Sequence, residues 1–433
     1  MPDELFLGDD AEQLRLLPAV QREARDVEAA ILVDGKAPDS ITDLPDDGTR
    51  DAIALGRLIG LDLILRRVHP NAGAPPPPEL QELAFTYARR GYFNSTTDSG
   101  LLLPRLMAYG APDHLEYKGD LFSVVRVEPH KMKRVRFSFI GSRGWPTVKG
   151  KDDIVVACVP FLDTIDDVSL KRVEKFGGGR YQLGPKGAHL KRRIDEVIGE
   201  LDRSGATIGV IPEGALSETL LTQWKQQLAK TPATPGSRMS LIIIGTGPVT
   251  GDKPARNRAV VLDRTGESLW EQDKLCDYTL TRSTIDFWEL PNLGDDGDLK
   301  EDIHRGSQLF VAETTFGRIA ILICEDLQRS HTRDVVPRHL GVSHIFTPVF
   351  DRLLESGRWH KGAAEPHLNY TGSRVVVANS RVVGNLMGKK SPMSTALALS
   401  PPPGDRGYVE EIAASNSAVD AVCVTMAALG PPP

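Results

Sequence analysis

Three segments of this 433-residue chain deliver a reactive side chain at the end of a strand-like stretch. In Gly209-Val210-Ile211-Pro212-Glu213-Gly214 a carboxylate follows a strand-like stretch. Proline fixes the backbone before it and glycine permits close approach after it. In Ser268-Leu269-Trp270-Glu271-Gln272-Asp273-Lys274 a lysine follows the turn Asp263-Arg264-Thr265-Gly266. In Arg318-Ile319-Ala320-Ile321-Leu322-Ile323-Cys324-Glu325-Asp326 a cysteine closes an apolar run and meets two acids. Taken singly, each has an ordinary explanation: a Glu at an exposed turn, a surface Lys, a buried structural thiol. Two neighbouring carboxylates would raise the thiol's pKa, so without a cation nearby Cys324 would be inert.

Taken together, the three make chemical sense. A thiol nucleophile needs a base, and a carboxylate with a raised pKa can be that base. Attack on an amide or nitrile carbon places negative charge on the substrate's heteroatom, which a lysine ammonium and a backbone N–H can stabilise. Glu213, Lys274 and Cys324 then cover base, electrostatic clamp and nucleophile. Protein groups alone complete that chemistry, so no metal or organic cofactor is expected.

These groups need strands to carry them. From residue 152 the pattern alternates between short apolar strands and amphipathic helices. Strands are expected at 154–161, 206–214, 240–247, 258–266, 318–326, 343–350 and 373–380, with 396–400 and 420–426 as further candidates. Leu190, Ile194, Val197, Ile198 and Leu201 recur at helical spacing within 188–204, and Ser204-Gly205 ends that helix. Further helices are expected at 332–341 and 361–371. So many strands with few helices between them predict an α/β fold of two sheets covered by helices. Residues 1–150 read as a separate accessory region. They show helical patterns at 10–33 and 50–67, a stiff His69–Pro78 connector, and a β-hairpin over 121–141 turning at Glu128-Pro129-His130. Residues 427–433 read as a tail, leaving 152–426 as the domain that carries the chemistry.

The order strand–Pro–Glu, then D-x-x-G followed by Lys, then I-C-E-D on a strand resembles the nitrilase superfamily of carbon–nitrogen hydrolases. Pro160, the helix at 188–204, Pro348, Trp359 and VVVAN at 375–379 recur in the same order, so the resemblance covers 152–426. It implies a four-layer α-β-β-α sandwich. Glu213 would be general base and acid, Lys274 the stabilising cation, and Cys324 the nucleophile that forms a thioester. The backbone N–H of Glu325 would complete the oxyanion site, and Glu289 is the candidate for the second glutamate that family members carry after the lysine. The resemblance also implies a homo-oligomer.

The match has departures. Tyr or Trp commonly follows the cysteine in the family; Glu325 stands there instead, as in the glutaminase branch attached to NAD synthetases, yet no synthetase domain is present. Fifty residues separate Lys274 from Cys324, with an insertion around 293–306 that puts the Glu289 assignment in question, and a second insertion at 176–187. Insertions of this kind are placed to cover the mouth of the site and to set substrate choice.

Other readings bound the function. A net charge of −6 argues against a protein that coats nucleic acid. Residues 126–151 nonetheless hold eight basic residues and one acid beside Phe137, Phe139 and Trp145, a weak pointer to a nucleic-acid or acidic protein partner. Cys158, Cys276, Cys324 and Cys423 are scattered, without metal-like spacing or a disulfide framework. The start MPDELFLGDD lacks a secretory pattern and no apolar stretch is long enough for a bilayer, so a cytoplasmic location without membrane partners is expected. Gly177-Gly178-Gly179 opens no phosphate-binding motif. A Cys–His hydrolase using His331, His344, His360 or His367 would leave the Glu and Lys motifs unexplained. The leading function is thiol-dependent hydrolysis of a non-peptide C–N bond, an amide in preference to a nitrile. Acyl transfer to an amine, and an assembly role that uses the domain as an oligomeric scaffold, stand as alternatives.

Overall fold

Alternation along the central strands sets the layering. In Ile154–Cys158, Ile208–Leu216, Leu241–Val249 and Arg256–Asp263, side chains point in turn to two different apolar clusters, as the two-residue period of a strand requires. Val156, Val210, Ile243 and Val261 face one way, into a core shared with Ile319, Ile321, Ile345, Val375 and Val377 of a second sheet. Ala157, Ile211, Ile242, Val260 and Leu262 face the other way, toward two helices. With both faces covered, these strands read as nearly continuous apolar runs.

The computed structural model describes residues 21–27, 53, 56–57, 60, 101–104, 122–125, 136–140, 154–175, 178–249, 255–294, 297–314, 317–329, 342–355, 358–371, 373–400 and 409–426. The first sheet has six strands in the order Ser268–Asp273, Arg256–Asp263, Leu241–Val249, Ile208–Leu216, Ile154–Cys158, Val422–Met426. The second has seven, in the order Val409–Ser415, Met393–Ser400, Arg374–Asn379, His344–Val349, Gly317–Ile321, Gln308–Thr314, Arg136–Ile140.

The helix Leu190–Arg203 buries Leu190, Ile194, Val197, Ile198 and Leu201, the stripe expected from spacing. Beside it lies Glu218–Lys230, capped by the Ser217 side chain, which accepts the Leu220 N–H at 3.3 Å; it buries Leu220, Leu221, Trp224 and Leu228. Each such side chain contributes about 1.5–3 kcal/mol of burial energy. The helix Trp359–Thr371 packs against Arg374–Asn379 and Met393–Ser400 of the second sheet. Helix, sheet, sheet and helix therefore follow in succession, the four-layer arrangement expected from sequence.

A small sheet completes this body: Thr279–Leu280, Leu299–Glu301, Gly178–Pro185 and Val168–Lys175, in that order. Two of its strands, Gly178–Pro185 and Leu299–Glu301, come from the two insertions. Gly178–Pro185 forms an antiparallel pair with Val168–Lys175, and Leu299–Glu301 pairs parallel to it through Lys300↔Arg180 and Glu301↔Tyr181.

The chain divides into two compact units, residues 1–70 with 115–121 and residues 71–114 with 122–433. In the first, residues 21–27 and the described positions at 53, 56, 57 and 60 are helical, with Ala24 and Val27 buried and Arg57 paired to Glu23 at 2.7 Å. The hairpin expected over 121–141 is corrected. Both strands exist, but Phe122–Val125 pairs antiparallel with Leu101–Pro104, while Arg136–Ile140 runs parallel to Gln308–Thr314 as an edge of the second sheet. An unpaired sheet edge offers a full row of N–H and C=O groups, and a strand-forming segment is drawn to it as readily as to its sequence neighbour. The rest of the basic segment 126–151, the helix expected at 332–341 and the tail 427–433 lie outside the described residues. No helix among the described residues is long and apolar enough to cross a membrane.

Candidate active site

Glu213, Lys274 and Cys324 come to one cavity, the first on a bulge within a strand, the second just after a strand and the third in the turn that follows another. The strand Ile208–Leu216 carries Glu213 through a break in register: pairing with Leu241–Val249 is regular up to Ile211 and resumes at Leu216. Gly214 takes φ +72 within that bulge, a left-handed conformation that glycine tolerates without strain. The neighbouring strand approaches so closely that a Cβ on Gly245 would lie 2.3 Å from the Pro212 carbonyl oxygen and 2.7 Å from the Glu213 Cα. Gly245 is therefore what allows Glu213 its place.

Lys274 follows the strand Ser268–Asp273, its N–H donating to the Asn257 carbonyl at 2.8 Å. Cys324 opens a single 3-10 turn, Cys324–Leu327, directly after the apolar run, and does so at φ +47. A side-chain-bearing residue held in that region is strained, and such strain persists only where the surroundings enforce it. Asp326 supplies that enforcement. Its fully buried carboxylate accepts N–H bonds from Cys276 at 2.8 Å, Leu275 at 3.1 Å and Ile323 at 3.3 Å, tying the cysteine turn to the residues that follow Lys274. Burial pushes the Asp326 carboxyl up to about 7, against the pull of those N–H donors and of Lys274.

The charges in the cavity and the thiol beside them are deeply buried: Lys274 is 1% exposed, Glu213 3%, Glu301 4% and Cys324 7%. Lys274 Nζ lies 2.7 Å from Glu213 Oε1 and 2.7 Å from Glu301 Oε2. Asn257 Nδ2 donates to Glu213 Oε1 at 2.7 Å and to Glu301 Oε1 at 2.8 Å. The other Glu213 oxygen accepts the Phe350 N–H at 3.1 Å. Glu301 and Tyr278 exchange two bonds, Tyr278 N–H to Oε2 at 3.0 Å and Glu301 N–H to the Tyr278 carbonyl at 2.8 Å. Burial alone would lower the lysine's pKa, but Glu213 and then Glu301 hold it well above the usual range, so it stays an ammonium. Burial, and then Glu213, push the Cys324 thiol well up, so it rests as a thiol.

The second glutamate of the site is Glu301, which corrects the expectation of Glu289. Glu289 is exposed at φ +55, between Trp288 and Leu290, whose side chains line the cavity instead. Glu301 follows Lys274 by 27 residues and arrives on the short strand Leu299–Glu301, inside the insertion that separates lysine from cysteine. Sequence reasoning also passed over Asn257, which lies in a strand without any motif around it. Glu325 is placed in the turn beside Cys324, but its side chain pairs with Arg329 at 2.5 Å rather than lining the cavity. Burial raises the Glu325 carboxyl, against Arg329.

Behind Phe350, a second polar network holds the wall. Asn379, ending the strand Arg374–Asn379, accepts the Asp351 N–H at 3.0 Å and donates to the carbonyls of Asp351 at 2.8 Å and Arg352 at 2.7 Å. The Asp351 carboxylate accepts from Trp359 Nε1 at 2.5 Å. Two residues singled out by sequence, Trp359 and Asn379, thus converge on the turn that presents the Phe350 N–H to Glu213. None of His344, His360 and His367 lines the cavity, and His331 lies outside the described residues.

The rest of the cavity is apolar. Leu170, Leu183, Leu280 and Leu290 line it, together with the rings of Tyr181, Tyr278, Trp288 and Phe350. The empty space within it, open solvent included, is about 380 Å³.

No protein-family model matches the sequence, and no curated protein matches it at a significant level. Solved structures similar to it include an amidase from Nesterenkonia sp., 13% identical over 64% of this chain and 92% of its own, at a TM-score of 0.39. A mutant of the amidase from Nesterenkonia sp. AN1 in complex with butyramide is 12% identical over 66% of this chain and 93% of its own, at 0.38. The glutamine-dependent NAD+ synthetase from Acinetobacter baumannii is 16% identical over 65% of this chain and 44% of its own, at 0.36. Likeness at these scores carries no argument about chemistry, and the functional reading rests on the residues of the cavity.

Proposed function

We propose that this chain is a carbon–nitrogen hydrolase of the nitrilase type, cleaving an amide in preference to a nitrile through a thioester on Cys324. The observation that carries the reading is the buried ammonium of Lys274, held at 2.7 Å from both Glu213 and Glu301 in the cavity that also receives Cys324. Taking such charges out of water costs several kcal/mol apiece, and well-packed apolar residues would serve stability as well or better. A purely structural domain gains nothing from that arrangement.

In the proposed reaction Glu213 takes the thiol proton as Cys324 Sγ attacks the amide carbonyl carbon. Negative charge develops on the carbonyl oxygen, and Lys274 Nζ with the Glu325 N–H stabilises it. Glu213 returns the proton to the leaving nitrogen, the C–N bond breaks, and ammonia or an amine departs, leaving the thioester. Glu213 then takes a proton from water as its oxygen attacks the thioester carbon, and returns that proton to Cys324 Sγ as the C–S bond breaks, giving the carboxylic acid and the resting thiol. Glu301 and Asn257 hold Lys274 and Glu213 in place throughout. A resting thiol suits this scheme, because the proton is removed only when substrate is present. Self-association belongs to the same proposal.

The test is ammonia release from a panel of amides and nitriles by the wild-type protein and by Cys324→Ala. The reading expects turnover that falls at least 10⁴-fold in the variant. Turnover that survives the substitution would sink it, and turnover only when an acceptor amine is added would favour acyl transfer.

A further inference from the structure

We infer that the substrate is an uncharged amide with an apolar acyl group, and that amides bearing a carboxylate or an ammonium on that group are rejected. The inference deepens the proposed function and depends on it. It comes from what the described residues place around the thiol. Every charged side chain lining the cavity belongs to the buried trio Glu213, Lys274 and Glu301, and Lys274 is already shared between the two carboxylates. Two of its N–H groups are engaged at those acids and the third is committed to the carbonyl oxygen of the reacting amide, so no cation is left over for a carboxylate on the acyl chain.

The remaining wall is supplied by leucines and aromatic rings, among them Leu170, Leu183, Leu290, Trp288 and Phe350. An anionic acyl chain would enter a site of low polarity that holds two carboxylates and one ammonium. It would lose its hydration without gaining a partner, and the nearest fixed charges would on balance repel it. A cationic chain meets the opposite balance of charge, but its desolvation is likewise unmatched, because both carboxylates already bond Lys274 and Asn257. The phenol groups do not alter this. Burial, with Glu301 next, holds Tyr181 well above the usual range, and burial, with Cys324 next, raises Tyr278 to about 12, so neither supplies a charge at neutral pH. An apolar acyl group instead replaces water against leucine and aromatic surface, which favours binding in proportion to the area covered.

The small sheet is the specificity element. Leu170 and Leu183 stand on its paired strands Val168–Lys175 and Gly178–Pro185, and Leu280 on Thr279–Leu280. The same sheet delivers Glu301. The two insertions thus contribute to acyl selection and to lysine positioning together.

The experiment compares amides of matched shape with the full-length protein: 4-methylpentanamide against succinamate, its carboxylate isostere, and pentanamide against 4-aminobutanamide, its ammonium isostere. Ammonia release gives kcat/KM for each, and intact-protein mass spectrometry reads the acyl adduct on Cys324. The expected result is a preference for each neutral member on the order of 100-fold or more, the scale on which unpaired buried groups discriminate. A Leu170→Arg variant, which puts a cation in the wall, is expected to narrow the 4-methylpentanamide-to-succinamate ratio at least tenfold. That ratio is internal to one preparation, so any loss of folded protein cancels. Equal or faster turnover of succinamate or 4-aminobutanamide by the wild-type protein overturns the inference while leaving the hydrolase reading intact. No turnover and no Cys324 adduct with any of the four overturns both.

Discussion

The ammonium of Lys274 and the carboxylate of Glu301, 27 residues apart in sequence, meet at 2.7 Å with their side chains 2% and 5% exposed. That contact makes Glu301, rather than Glu289, the partner of the lysine. Glu301→Gln removes one of the two anions that keep Lys274 charged and leaves a buried cation with a weaker environment. We predict a fall in kcat/KM of roughly 10²–10³ for Glu301→Gln, on the scale of losing one transition-state electrostatic contact. Glu289→Gln, at an exposed site, should stay within about twofold. Steady-state kinetics on the two variants side by side decides between the two glutamates.

Asn257 spans both acids through one amide nitrogen. Asn257→Asp would place a third carboxylate against Glu213 and Glu301, and a carboxylate cannot donate. Protonated, the new Asp donates again. The variant should therefore lose activity at neutral pH and regain part of it as the pH is lowered, shifting its pH–rate profile to the acid side of the wild type. A profile of unchanged shape would remove Asn257 from the positioning role.

Gly245 tests the backbone geometry of the same carboxylate. Gly245→Ala drives a methyl into the Pro212 carbonyl oxygen and the Glu213 Cα, at 2.3 and 2.7 Å. The expected cost is about 1–3 kcal/mol of stability from overpacking, with activity lost beyond what the unfolded fraction explains. Gly362, in the helix Trp359–Thr371, offers open space, with nothing within 4 Å of an added methyl, and Gly362→Ala should be neutral or slightly stabilising. Thermal denaturation with parallel activity assays measures both.

Asp326 gives a pH-dependent prediction with a definite sign. Its folded pKa is raised to about 7, above the ordinary carboxylate value of 3.8. Its contribution to stability is therefore fully present below pH 3.8 and is lost as pH rises through about 7. The stability difference between wild type and Asp326→Asn should move against the wild type by a few kcal/mol from pH 4 to pH 8. Denaturant titrations at several pH values would show it, and a difference independent of pH would contradict it. Activity should fall in the variant at every pH, because the N–H bonds from Leu275, Cys276 and Ile323 hold the strained cysteine turn.

Much of the frame is legible in the sequence, for reasons visible in particular residues. Glu213 and Cys324 each end a run of consecutive apolar side chains, the mark of a strand buried on both faces, so strand and site are read together. The helix Leu190–Arg203 follows from its stripe, whereas Glu218–Lys230 escapes notice because its buried positions Leu220, Leu221, Trp224 and Leu228 sit among long polar stretches. Glu301 is hidden because a three-residue strand carries no periodicity. That strand is held between Thr279–Leu280 and Gly178–Pro185, the latter more than a hundred residues earlier, and local pattern encodes neither pairing. The hairpin at 121–141 fails for the same reason: both strands are legible, their partners are not. Asn257 is an amide on a strand with nothing in its neighbours to mark it as a hydrogen-bond node, whereas Asn379 is legible as the end of the VVVAN run.

The most direct test of the central claim is to locate the acyl group. Wild-type protein is mixed with a compact neutral amide, quenched in acid within one turnover and digested, and the modified peptide is identified by mass spectrometry. One acyl group per chain is expected, on Cys324, formed together with one equivalent of ammonia and absent in Cys324→Ala. An adduct on Cys276, the buried thiol two residues beyond Lys274, or ammonia release without any adduct and undiminished in Cys324→Ala, would contradict it.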